Sequence, residues 1–144
     1  MSPIEIAVNF IEEIEQRRWF EVEGLLHEDF ALEMGLPESI DKPTFLAWIE
    51  ALVEACPDWS FGLKESKQLN GSVGLIVGIS ATHTQTLRLP IDGIKPLPPT
   101  HKHLSVPQDQ VKVAFKGNQI HRIHAHTNLH TGVLGLLEQL GYEL

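Results

Sequence analysis

From Val73 to Leu89 every second residue belongs to one set: Val73, Leu75, Val77, Ile79, Ala81, His83, Gln85, Leu87 and Leu89. Between them stand mostly small or polar residues, among them Ser72, Gly74, Gly78, Ser80, Thr82, Thr84, Thr86 and Arg88. A period of two is the side-chain period of a strand, so one face of the segment is largely apolar and the other polar. At about 3.3 Å per residue such a strand is too long to stay flat. The pattern therefore predicts a curled sheet, and a curled sheet packed on helices leaves a hollow of the kind that takes small molecules.

The first third of the chain has the other period. Ser2 precedes Pro3, and Glu5 follows three residues after Ser2, which is a capping box with proline at the first helical position. Ile4, Ala7, Val8, Ile11 and Ile14 then form one helical stripe. A second short helix is expected over Trp19–His27, with Phe20, Leu25 and Leu26 turned inward. Asp41 can cap a third, whose apolar positions are Phe45, Trp48, Ile49, Leu52 and Val53, and Pro57 stops it.

From Trp59 onward the period is two. Trp59, Phe61 and Leu63 alternate as a half-buried strand would, and Asn70-Gly71 is a hairpin turn. Pro90–Pro99 is a loop, and a third strand, His101–Phe115, is broken by a bulge near Pro107. Gly117-Asn118 turns the chain into a fourth strand, Gln119–Asn128, and Thr131–Gly141 closes as a short helix. The expectation is one α+β domain over residues 1–144, a curved antiparallel sheet packed on three N-terminal helices.

Charge narrows the function classes. The net charge is −8 and Lys and Arg are scattered, so no basic stripe exists and no nucleic-acid partner is expected. No segment has the length to cross a bilayer, so no membrane partner is expected either. Cys56 is the single cysteine, which excludes an intrachain disulfide; with no signal-peptide pattern at Met1–Glu5, a cytoplasmic setting is expected.

Seven of the eight histidines, His83, His101, His103, His121, His124, His126 and His130, lie in the second half. On strands His101/His103 and His124/His126 each place two imidazoles on one face. Imidazole titrates near neutrality and serves as acid, base, donor or metal ligand. His124, His126 and His83 would be the trio for Zn²⁺, but no carboxylate or thiolate completes it, and no metal is expected.

Four segments carry a family resemblance. Cys56-Pro57-Asp58-Trp59 resembles a Pro-Asp at a helix-to-strand junction, and Ala81-Thr82-His83-Thr84-Gln85 resembles a Gly-Thr-His-Thr-Gly strand. Pro98-Pro99-Thr100-His101-Lys102 resembles Pro-Pro-Thr-Gly-Lys, and Gly135–Gly141 resembles a closing Gly-Leu-Leu-x-Gln-Leu-Gly. In this order they resemble the SnoaL-like polyketide cyclase group of the nuclear transport factor 2-like fold. The resemblance spans essentially the whole chain. It implies a cone with a central pocket, a homodimer, no cofactor, and an Asp after the last strand as general acid/base, often preceded by a Trp on that strand. Counted from the turn at Asn118, that Asp position is Asn128 and the Trp position is His124; counted back from Gln139, the Asp position is Gly132. None is a carboxylate, and Asn128 cannot exchange a proton at neutral pH.

An imidazole can take the missing role, so His124 or His126 is expected as the base, with His83 and Gln85 as donors to a forming enolate. Asn128 shares parity with His124 and His126 and is expected at the cavity. Asp58 is either a base or a turn-capping acceptor, and Trp48 and Trp59 either stack on a flat ligand or pack in the core. The reading that follows is a small-molecule-binding domain doing cofactor-free proton transfer on an apolar carbonyl compound. Its rival is a non-catalytic binding or interaction module on the same scaffold.

Overall fold

The computed structural model of the protein describes residues 1–35, 37–125 and 132–142. Helix α1 (Pro3–Glu15) begins with the capping box, the Ser2 hydroxyl accepting from the Glu5 N–H, and buries Ile6, Ala7, Phe10, Ile11 and Ile14. Helix α2 (Trp19–Leu25) buries only Val22. Phe20, expected inside, is 84% exposed. Two turns of helix have room for one inward position on this packing, and Phe20 lies on the far side of it.

The chain then leaves helical geometry earlier than expected. Leu26–Glu33 is strand β1, followed by the short β2 (Ile40–Asp41). Helix α3 (Lys42–Ala55) is capped by Asp41, whose carboxylate accepts from the Thr44 N–H at 3.0 Å, and it buries Phe45, Ile49, Leu52, Val53 and Ala55. After it come β3 (Glu65–Gln68), β4 (Ser72–Val77), β5 (Ser80–Thr82), β6 (His103–Ser105), β7 (Asp109–Lys116) and β8 (Gln119–Ala125), then α4 (Gly132–Gln139).

One sheet has the order β2-β1-β8-β7-β4-β3, and β5 pairs with β6 separately. The sheet is mixed rather than antiparallel throughout, because β1 and β8 run parallel. The strand expected over Trp59–Leu63 is reduced to a bridge between Ser60 and Ser80. Gly62 takes a left-handed backbone, φ +57°, and so interrupts extended geometry there.

The long alternating strand is also interrupted, at Gly78. Its break faces the expected one near Pro107: a Cβ on Gly78 would meet the Gln108 side chain and the Val106 carbonyl. Two neighbouring strands are thus interrupted at one level, where the pairing of β4 with β7 gives way to that of β5 with β6. Burial keeps its period across the interruption, since Val73, Leu75, Val77, Ile79, Ala81, His83, Leu87 and Leu89 are all buried. Gln85 departs from it. The Thr84 and Gln85 N–H groups both turn to the Ala55 carbonyl, at 3.1 and 3.0 Å, which leaves the Gln85 side chain exposed.

Candidate functional site

His83 is the chemical centre of the interior. Its side chain lies on the inward parity of the β5 segment and is 0% exposed. Main-chain bonds from His83 N–H to the Lys102 carbonyl (3.0 Å) and from His101 N–H to the His83 carbonyl (2.9 Å) fix it under the Thr100–Lys102 segment. Nδ1 accepts from the Thr100 main-chain N–H at 3.2 Å and lies 2.9 Å from the Thr100 hydroxyl. A nitrogen that accepts from a main-chain N–H carries no proton, so neutral His83 holds its proton on Nε2. Burial pushes its pKa down, the nearby His101 adds to that, and the Gln85 main chain opposes. The ring is therefore a neutral donor near pH 7. Nε2 is buried and has no acceptor in hydrogen-bonding geometry among the described residues. Leaving such a donor unmet costs about 1–3 kcal/mol, so the atom calls for a partner.

A narrow apolar cleft of about 20 Å³, open to solvent on one side, lies between α3 and the inner side of β1 and β2. Its wall is formed from α3 by Phe45, Trp48, Ile49 and Leu52 and from the other side by Leu32, Met34 and Ile40, together with Val133. The α3 stripe that supplies Phe45, Ile49 and Leu52 leads, one helical turn further, to Ala55, whose carbonyl anchors the chain just beyond His83. Trp48 is half-buried and lines this cleft; Trp59 is buried in the core, edge-on to Phe61 with ring centroids 5.7 Å apart. The indole Nε1 of Trp59 is a second buried donor without an acceptor among the described residues, as is the Tyr142 hydroxyl. Buried Glu13 on α1 differs, since Arg18 holds its Oε1 at 3.3 Å and only Oε2 is unmet.

Asp58 sits at the surface as a clamp. Its carboxylate accepts from the Thr82 N–H (2.6 Å) and from the Thr82 hydroxyl (2.8 Å). Desolvation opposes its charge, but those two bonds outweigh it and hold the carboxyl below its usual range. The Thr82 hydroxyl also lies 3.0 Å from His103 Nδ1. A hydroxyl has one proton, here given to the carboxylate, so His103 donates from Nδ1. This chain ties the α3 exit to the β5–β6 hairpin.

His124 lies elsewhere. It alternates with buried Ile123 on β8, and its Nδ1 is 3.1 Å from Glu33 Oε2, the two side chains being 60% and 52% exposed. Glu33 and Lys112 are its strand partners on either side, so this row faces away from the core. His83 and His124 are not brought together. His126 and Asn128 lie outside the described residues, and Gly132 is the first residue of α4. Among the described residues no group of three or more His, Cys, Asp or Glu is placed to hold a metal ion. Thr100 and Glu33, the partners that define the two histidines, were invisible to sequence reasoning, because each contact crosses the chain rather than following a local period.

No family model matches the sequence, and no curated protein matches it. Solved structures do. IdmH, a "putative polyketide cyclase" from Streptomyces antibioticus, superposes with a TM-score of 0.71 at 15% identity, covering 99% of this chain and 100% of its own. AclR, a "putative hydroxylase" from Streptomyces galilaeus, gives 0.70 at 13% identity over 93% and 94%. A "Putative SnoaL-like polyketide cyclase" from Jannaschia gives 0.67 at 17% identity over 90% of each chain. The fold expected from the four motifs is thus the fold of that group. Two different activities are named on it, so the fold alone selects neither.

Proposed function

We propose that the protein binds a small, largely apolar molecule in its interior and holds a carbonyl oxygen of that molecule with His83 Nε2–H. The observation that carries this is the buried neutral imidazole whose Nδ1 is occupied by Thr100 while Nε2 meets no acceptor in hydrogen-bonding geometry among the described residues. The apolar cleft along α3, with Phe45 and Trp48 as its aromatic members, is the proposed wall for the rest of the ligand. A preorganised donor at a carbonyl oxygen favours the enolate that forms when a neighbouring carbon loses a proton. The reaction class is therefore cofactor-free proton transfer, of the cyclase or isomerase kind, in which His126, the other imidazole expected as base, takes the carbon's proton and returns it. The named activity of several proteins that share the fold supports that class. His124, expected as the base, faces solvent beside Glu33, so the reading rests on His83.

Calorimetric titration with α-tetralone, an apolar bicyclic ketone, tests binding. Saturable binding is expected, weakened roughly threefold to tenfold in His83→Leu, the worth of one neutral hydrogen bond. A His83→Leu protein that melts far below the parent, with affinity unchanged per folded molecule, would refute the assignment. Catalysis is tested by protein-dependent loss of the ketone's α-proton NMR signal in heavy water; binding without exchange leaves the non-catalytic binder. The homodimer expected from the sequence belongs to the same proposal, and a monomer mass by light scattering at micromolar concentration would refute it.

A further inference from the structure

Two of the unmet buried donors lie to the inward side of one antiparallel bridge. Ser60 and Ser80 exchange both main-chain hydrogen bonds at 2.9 Å, and the Thr82 N–H reaches Asp58. Residues 58–60 and 80–82 therefore run antiparallel, with Trp59 opposite Ala81. Trp59 and Ala81 are both buried, and His83 follows Ala81 by two residues on the same inward parity. In a regular pair diagonal neighbours on one face are about 7–8 Å apart at Cα, a span that two large rings can bridge. An indole nitrogen can only donate, and His83 is left only a donor by Thr100.

We infer that Trp59 Nε1–H and His83 Nε2–H act as a paired clasp on one oxygen, which makes Trp59 a specificity-determining residue through its N–H and not through ring stacking. A carbonyl oxygen has two in-plane lone pairs and can satisfy both donors at once. A hydroxyl spends its proton elsewhere, and an amine brings donors to a place that already has them. A carboxylate brings a charge that two neutral donors in an apolar interior do not offset. The clasp therefore selects a neutral ketone or quinone end. This rests on the small-molecule reading above and adds to it a rule of selection.

The test compares α-tetralone with tetralin, the same skeleton without the oxygen. Wild-type protein is expected to bind the ketone about tenfold or more tighter, and Trp59→Phe, which keeps a ring but loses the N–H, to weaken the ketone roughly threefold to tenfold while leaving tetralin unchanged. In nitrogen-edited NMR spectra of the wild type, the Trp59 indole N–H resonance should move with the ketone and stay with tetralin, a readout that stands even if Trp59→Phe does not fold. Equal affinity for both compounds, or an unmoved indole signal with ketone bound, overturns the clasp and leaves small-molecule binding intact. Binding of neither compound overturns that reading and the clasp with it.

Discussion

Replacing Gly62 by alanine isolates the physics of the bend that sets the register of Trp59. Gly62 has φ +57°, where a side chain costs about 1–2 kcal/mol. A Cβ there is also driven into the Gly78 carbonyl oxygen. That neighbour is main chain, so no side chain can swing away to relieve the contact. The bond from Gly78 N–H to the Phe61 carbonyl, 2.8 Å, must lengthen instead. Losing most of it adds roughly 0.5–1.5 kcal/mol, for a total of about 1.5–3.5 kcal/mol. For a domain of this size that is on the order of 5–12 °C in Tm. Gly93 is the control, because its φ of +83° is also left-handed but nothing lies within 4 Å of a Cβ there. Gly93→Ala should show the conformational cost alone. Urea unfolding of both variants, with unchanged m-values, measures the difference. Equal losses at the two positions would refute the claim that backbone contact at Gly78 matters.

Cys56 has its thiol pushed up to about 11 by burial and by the neighbouring Asp58, so iodoacetamide at pH 7.5 should label it only after unfolding; rapid labelling of native protein, seen by mass spectrometry, would contradict this. His83 has a folded pKa below its ordinary 6.5, so the unfolded chain binds the extra proton; stability should fall as pH drops below about 6.5, and His83→Leu should remove that part of the slope in pH-dependent melting. Asp58 has a folded pKa below 3.8, so its contribution is present above that pH and is lost in more acid solution; Asp58→Asn should flatten the curve only there, and a change confined to pH 6–7 would show the wrong group was named.

Local rules carried the helix starts, the hairpin at Asn70-Gly71 and the break near Pro107, because each depends on residues a few positions apart. They failed at Leu26 and His27, read as the end of the second helix, and assigned nothing to Glu28–Glu33; the segment becomes a strand through pairing with β8, far along the chain. Trp59–Leu63 alternates like a strand, yet Gly62 breaks it, since alternation reports facing and not main-chain pairing. The burial of His83 was legible from the same alternation, while the exposure of Gln85 depends on the Ala55 carbonyl. Tautomer and free donor became legible only with Thr100 in place.

The parallel join of β1 to β8 also has a consequence in time. Glu33 and His124 are 91 residues apart in sequence and neighbours in the sheet. During synthesis the three N-terminal helices and β1 emerge first, and β1 then has only the two residues of β2 to pair with. Its other edge must wait while some 91 further residues are made, with Leu26, Phe30 and Leu32 unable to complete their packing until Ile120 and Ile123 arrive. Such late closure between distant segments slows folding and leaves an unpaired edge open to other chains. A nascent chain stalled before Gln119 would hold that edge open, so the sheet cannot be completed until the distant strand β8 has been made and seals β1.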